Sequence, residues 1–303
     1  MQTIGIIGLG IMGSAYAKNL LKKGFRVVGY DLDSDRLREL EVDGLHAVRS
    51  IVEVAKHCDE IITSLPNPQA LHQVVSELAT VGPSRLNQVV VADTCTLAMI
   101  DKIQAMQALQ NAGALMLDCP VSGTGAQAAK ADLTVFASGE SAGIERMMPF
   151  FAAIGRTTHQ LGAFGNGSKM KYVANLLVAI HNVSAAEAFA FAQKAGIAPD
   201  SVYRVLQGSA GSSRIFEVRG PMMVAADYQT GLSATHQLMH KDISIIGAYI
   251  AELGADLPLF QLAANIHHDA IAQGYAMQDT ASVCAVMEQR NGIQRPGARG
   301  GTA

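Results

Sequence analysis

Through the first half of the chain, short apolar runs alternate with segments of helical period. Ile4–Ile7, Phe25–Tyr30, Glu60–Ser64, Val89–Ala92 and Leu115–Asp118 have strand length and end in turn residues. Between them lie helical stretches from Gly13 to Lys23, from Ser50 to His57, up to Ala79, and up to Gln110. Leu133–Ala137, a helix near Gly143 to Ala152 and a strand near Thr157 to Gln160 follow. Such alternation predicts an α/β unit built on a largely parallel, doubly wound sheet. The loops at Ser64–Pro66, Asp93–Thr96 and Cys119–Thr124 then fall along one rim, at the C-terminal strand ends where such sheets bind ligands.

The pattern changes after Gly165. From Lys169 to Lys194 there is neither proline nor glycine, and Leu176, Leu177, Ile180, Val183, Ala186 and Phe189 recur at helical spacing. A helix apolar nearly all round is expected to be buried. Gly165 and Gly167 would loosen its start, Ser168 would cap it, and Gly196 would end it. Further helices are expected over Val202–Gln207, His236–Leu253, Leu259–Gln273 and Thr280–Arg290, with Pro221 and Asp227-Tyr228 bracketing a short element. The expected organisation is a sheet domain over 1–162, an all-helical domain over 163–290 and a flexible tail over 291–303. Lys171 and Asn175 lie one turn apart in the long helix and share a face. Lys171 either snorkels to solvent or is held in a cleft with Asn175 fixing a ligand or water.

Composition narrows the function. At 303 residues with 49% hydrophobic and 16% charged positions, two cores are affordable. A formal charge of −3 gives no reason to expect nucleic acid. No uninterrupted apolar run reaches membrane-spanning length, and Met1–Ile4 enters a strand at once, so neither a membrane span nor a signal peptide is expected. The four cysteines are scattered without CxxC spacing and read as reduced thiols of a cytoplasmic protein. No His, Cys and carboxylate cluster has metal-ligand spacing, so no metal is expected; His236 and His240 are one turn apart but lack a third ligand and read as a polar helix face.

Gly8-Leu9-Gly10-Ile11-Met12-Gly13 stands between the first strand and the first helix, and Asp31 ends the second strand. This is the dinucleotide fingerprint in its required context. Gly8 permits the tight turn, Gly10 the approach of a pyrophosphate and Gly13 close helix–strand packing. Asp31 would accept a hydrogen bond from a ribose 2′-OH and repel a 2′-phosphate, which favours NAD over NADP. Arg36 lies close enough to blur that preference, although a solvated helix arginine is its default reading. The loop Cys119–Gly125 frees several backbone N–H groups that, with the Ser122 hydroxyl, could hold a carboxylate; an ordinary turn is the alternative.

Four blocks now align: Gly8–Gly13 (GLGIMG), Asp93–Leu97 (DTCTL), Asp118–Thr124 (DCPVSGT) and Gly165–Asn175 (GNGSKMKYVAN), followed by Lys241-Asp242 and Asp279. With them the chain resembles the β-hydroxyacid dehydrogenase family over nearly its whole length, to about Met287. The resemblance implies a Rossmann domain followed by an all-helical domain, with the long helix at their junction. It implies Lys171 as catalytic acid/base and Asn175 as the residue that orients substrate. Ser122, Gly123 and Thr124 would bind the substrate carboxylate. Leu65, Pro66 and Thr96 would line the nicotinamide side, and Lys241 would reach the cofactor. The resemblance also implies a homodimer or homotetramer.

The sequence departs from the family pattern at Thr124, Ala174 and Arg214, which bears on substrate identity and not on reaction class. Arg214 either is solvated or binds a second acidic group of a longer substrate; Arg219 is read as solvated, and His181 and Asn182 as satisfied interior polar groups. The expected activity is interconversion of a short 3-hydroxy acid and its semialdehyde by hydride transfer, with NAD favoured and NADP possible. An imine reductase and an inactive dinucleotide-binding scaffold are the alternatives; Lys171 argues against both.

Overall fold

The computed structural model describes residues 2–231 and 234–295. By Cα proximity the chain divides into two compact units, Met1–Lys171 and Tyr172–Ala303. The division falls inside the long helix, whereas the boundary expected from sequence, 162/163, falls in the loop before it.

The first unit opens with β1 (Thr3–Ile7), α1 (Ile11–Lys22), β2 (Arg26–Tyr30), α2 (Ser34–Glu41), β3 (His46–Ala47) and α3 (Ile51–His57). It continues with β4 (Glu60–Thr63), α4 (Pro68–Ala79), α5 (Pro83–Leu86), β5 (Val90–Asp93), α6 (Met99–Asn111) and β6 (Leu115–Asp118). The six strands are parallel in the order β3-β2-β1-β4-β5-β6. The winding reverses between β1 and β4, so the ligand crevice of such a sheet lies beyond the C-terminal ends of these two strands. Helices cover both faces. Ile4, Ile6 and Leu117 point into one core, and Ile7, Ile61 and Val91 into the other. A strand buried on both faces must be apolar throughout, hence runs in the sequence and not alternation. Helix starts follow their caps: Ser50 accepts from Glu53 N–H, and Asn67 from Ala70 N–H.

The strands after Asp118 do not extend this sheet. β7 (Val121–Ser122), α7 (Gly125–Ala128), β8 (Leu133–Ala137), α8 (Ser141–Ile154) and β9 (Gly155–Gln160) form a separate three-stranded sheet, β7-β8-β9. Pro120 has no N–H to give a ladder, and Gly123 turns the chain at φ +139°, a conformation that favours glycine. Ser138, just past β8, pairs back onto Asp118 in an antiparallel bridge.

The long helix α9 (Asn166–Lys194) runs from the first unit into the second. It begins earlier than the sequence pattern indicated. Gly167 lies within it because a Cβ there would stand 2.3 Å from Phe136 O and 2.6 Å from Asp118 O. By length and composition α9 could cross a membrane, with a mean hydropathy of 1.3 over its most apolar window and 44% of that window buried. Phe189 and Ala186 pack into the helical core while Val173, Leu177 and Phe191 are exposed, so α9 is a core helix with one open apolar side and not buried all round.

The second unit continues with α10 (Pro199–Leu206), α11 (Arg214–Ala225), α12 (His236–Glu252), α13 (Pro258–Ala270), a π turn over Ile271–Tyr275, a 3-10 turn over Thr280–Ser282 and α14 (Val283–Arg290). Phe189 stacks on Phe216 at 5.5 Å, and Phe216 on Tyr203 at 5.8 Å. Pro221 does not bracket an element but sits inside α11. It lacks the N–H that would bond Glu217 O, and the Tyr203 hydroxyl donates to that carbonyl at 3.0 Å. Gly220 lets the helices approach, since a Cβ there would lie 2.4 Å from the Tyr203 ring. Of the tail expected to be flexible, residues 296–303 lie outside the described residues. Arg295 is docked: it pairs with Glu288 and donates to Val224 O at 2.8 Å.

Candidate active site

The glycine loop joins β1 to α1. Gly8 adopts φ +91°, and a Cβ there would sit 2.3 Å from Ser64 O; one on Gly13 would sit 1.9 Å from Gly8 O. The fold itself therefore requires these two glycines. Gly10 differs. Its φ is −64°, and a Cβ would come no nearer to the protein than 3.7 Å, from Arg36 Nη1. Nothing in the chain demands a glycine there, which fits a loop shaped for the approach of a pyrophosphate. No side chain caps the first turn of α1 and no acidic residue lies in it, which suits an anion at the helix N-terminus. Leu9 is buried, Ile11 is exposed and Met12 is half-buried.

Asp31, just past β2, has both carboxylate oxygens engaged. Oδ2 accepts from Leu9 N–H at 2.5 Å and Oδ1 from Asp33 N–H at 2.8 Å. Arg36 Nη1 stands 3.8 Å from Oδ2, so a guanidinium lies beside the acid that would meet a ribose.

The expected rim loops are neighbours. Leu65 N–H donates to Cys95 Sγ at 3.0 Å, and Cys119 N–H to Asp93 O at 2.9 Å. Pro66 is exposed, while Thr96 and Ser122 are half-buried. Thr124, expected to bind a substrate carboxylate, has its N–H engaged within the chain. It donates to Gln127 Oε1 at 3.0 Å, and Thr124 Oγ1 accepts from Gln127 N–H in a capping box. Ser122 is half-buried and Gly123 exposed beside it.

Lys171 is half-buried in the second turn of α9, and Asn175 is buried a turn further on. Asn175 Nδ2 donates to Asp242 Oδ2 at 2.7 Å, an anchor the sequence reading missed. That bond fixes which way the amide faces. Asp242 Oδ1 makes no hydrogen bond but lies 3.4 Å from Nζ of the adjoining Lys241. Lys241 is partly exposed on α12. Ser168 does not cap α9; its N–H and hydroxyl both donate to Asp118.

Three other readings are corrected. Arg219 is not solvated: it is 4% exposed, and its Nε donates to Asp279 Oδ1 at 2.8 Å. His236 is not on a polar face: it is fully buried, 2.9 Å from Ser282 Oγ and 3.3 Å from His267 Nδ1. Asn182 is only half satisfied, since Nδ2 donates to Val178 O and Oδ1 makes no hydrogen bond. Arg214 is exposed and pairs with Glu217 at 3.3 Å.

Comparison with known proteins agrees with this geometry. The family described as the NAD binding domain of 6-phosphogluconate dehydrogenase matches residues 3–162. The one described as NAD-binding of NADP-dependent 3-hydroxyisobutyrate dehydrogenase matches residues 165–287. The chain is 33% identical over 301 residues to L-threonate dehydrogenase of Cupriavidus necator, covering 98% of each. The crystal structure of 3-hydroxyisobutyrate dehydrogenase from Salmonella typhimurium matches with a TM-score of 0.83 at 31% identity, covering 94% of this chain and 100% of that one. The Mycobacterium tuberculosis 3-hydroxyisobutyrate dehydrogenase solved with L-serine matches with a TM-score of 0.85 at 26% identity, covering 95% and 99%. A dinucleotide loop in its strand–helix context, followed by a helical unit matched over residues 165–287, places this chain in the β-hydroxyacid dehydrogenase family of NAD(P)-dependent oxidoreductases acting on CH–OH groups.

Proposed function

We propose that this protein interconverts a short 3-hydroxy acid and its semialdehyde, using NAD in preference to NADP, with Lys171 as general acid/base. The observation that carries the reading is the pairing on α9 of a half-buried lysine with an amide, one turn on, that Asp242 holds in one orientation. The bound nicotinamide supplies or accepts the hydride. In oxidation Lys171 takes the hydroxyl proton; in reduction it returns one, and its charge stabilises the developing alkoxide. Asn175 orients the reacting oxygen. Ser122 and the Gly123 N–H hold the substrate carboxylate, while Leu65, Pro66 and Thr96 border the nicotinamide and Lys241 reaches the cofactor. Asp31 favours NAD because it receives a ribose hydroxyl and repels a 2′-phosphate.

The names of relatives, L-threonate and 3-hydroxyisobutyrate dehydrogenases, support a small hydroxy acid as the substrate class. The protein is read as a cytoplasmic homodimer or homotetramer. Replacing Lys171→Ala is expected to lower kcat by about 10²–10⁴-fold with the NAD Kd unchanged. Steady-state turnover on a panel of hydroxy acids and semialdehydes, with dinucleotide binding followed by fluorescence, checks this. Turnover near that of the parent would reject Lys171 as the acid/base.

A further inference from the structure

Beneath the rim lies a cluster of charge that the proposed chemistry does not use. Asp93 ends β5 and Asp118 ends β6, and the two are paired across adjacent parallel strands. Like charges side by side on neighbouring strands repel. Lys102, in the first turn of α6, bridges them, with Nζ 2.5 Å from Asp118 Oδ1 and 3.0 Å from Asp93 Oδ2. All three are 0% exposed. Burial alone would push the lysine down, but the two carboxylates outweigh it and hold Lys102 above the ordinary lysine range. Thr63 Oγ1 donates to Asp93 Oδ1 at 2.7 Å.

Two carboxylates against one ammonium leave an excess negative charge, and it is placed at the start of α9. Ser168 N–H donates to Asp118 Oδ2 and Ser168 Oγ to Asp118 Oδ1, both at 2.7 Å. Gly167 N–H donates to Ser138 Oγ at 2.9 Å. Side chains at and just past distant strand ends thus satisfy two first-turn N–H groups that the helix leaves unpaired, and the carboxylate meets the positive end of the helix dipole. Gly167 lies against the backbone of Phe136 and Asp118 with no space for a Cβ. Three hydrogen bonds and this close approach thus tie the first turn of α9 to Asp118 and Ser138. Buried ion clusters are poor stabilisers compared with an apolar core of the same volume, so the geometry this one imposes is what distinguishes it.

We propose that Asp118, bridged by Lys102, is a positioning residue for Lys171: it locks the first turn of α9 and so sets the height and rotation of the ammonium three residues beyond Ser168. This rests on the acid/base reading of Lys171. Misplacement of a reacting group by about 1 Å can cost about 10²-fold in rate, so loosening the lock acts on kcat.

The test is a double-mutant cycle of Ser168→Ala and Lys171→Ala. Ser168→Ala deletes one hydroxyl and leaves the Ser168 N–H bond and the ion cluster in place. In the parent it is expected to lower kcat by about 10- to 100-fold, with the NAD Kd and Tm little changed. In the Lys171→Ala background it is expected to cost nothing further. Lys102→Met, expected to show the same non-additivity with a larger loss, is the second variant, read only where circular dichroism shows a folded protein. An unchanged kcat in Ser168→Ala would overturn the proposal. So would an equal loss in both backgrounds, which marks a purely structural role. Full turnover in Lys171→Ala alone would instead reject the acid/base reading, and that outcome is separable from the other two.

Discussion

Single atoms distinguish the glycines of the dinucleotide loop. A methyl on Gly13 would meet a backbone oxygen at 1.9 Å, whereas a methyl on Gly10 would meet nothing closer than 3.7 Å. Gly13→Ala is therefore expected to lose stability by about 1–3 kcal/mol or more through overpacking. Gly10→Ala is expected to melt like the parent but bind NAD about ten- to a hundredfold more weakly. Thermal melts and dinucleotide titrations of the two variants check the contrast, and equal melting losses would refute it. At Asp31 the adjacent Arg36 is already in position. Asp31→Ser removes the carboxylate that would accept from a ribose hydroxyl and repel a 2′-phosphate, and leaves the Arg36 guanidinium to meet one. The ratio of kcat/KM for NAD over NADP is expected to fall by about 10- to 100-fold, the worth of a hydrogen bond to a charged group. Paired kinetics with both dinucleotides measure it.

Helices carry the next level of constraint. α12 brings His236 against α13 and the 3-10 turn. His267 Nε2 faces Ala179 O at 3.3 Å, and a carbonyl can only accept, so Nε2 carries the hydrogen and Nδ1 accepts from His236 Nδ1. His236 Nε2 is then left to accept from the Ser282 hydroxyl. Every proton position in this chain assumes neutral rings. Burial pushes His236 down to about 4, and burial with His236 alongside pushes His267 to about 3, both from 6.5. The unfolded chain takes up these protons near pH 6.5 while the folded one does not. The contribution of the pair to stability is thus full above about pH 6.5, falls as pH drops toward 4 and 3, and is lost below. Melting temperatures between pH 7.5 and pH 4 are expected to drop less in a His236→Gln, His267→Gln double variant than in the parent. Parallel pH curves for the two proteins would exclude the histidine pair as the cause.

At the scale of the whole molecule, exposed large apolar side chains among the described residues concentrate in the second unit. Val173 and Leu177 are one turn apart on α9, and Leu259 and Leu262 one turn apart on α13, each at least 46% exposed. Large contiguous apolar patches mark association surfaces, so these two helices are the places to test the proposed homo-oligomer. Light scattering on the purified protein is expected to give a multiple of 31.9 kDa, and Leu259→Glu with Leu262→Glu to lower it. A monomeric parent would rule the oligomer out.

What the sequence determined is local and periodic. Strand–helix alternation gave the parallel sheet because strands buried on both faces must be apolar throughout. The glycine spacing gave the dinucleotide loop because its geometry is set within a single turn. Lys171 and Asn175 were visible as a pair because helical spacing puts them on one face. The strands beyond Asp118 were legible as strands but not as a separate sheet, since pairing partners are chosen by packing. Only the tertiary structure decided which charges are buried. Asn175 finds Asp242 across 67 residues, Arg219 finds Asp279 across 60, and Ser168 finds Asp118 across 50. Lys102 and Arg219 have the sequence appearance of solvated helix residues, because a charge on a helix stays in water unless folding brings it a partner. Whether one arrives depends on long-range packing that leaves no periodic trace in the chain.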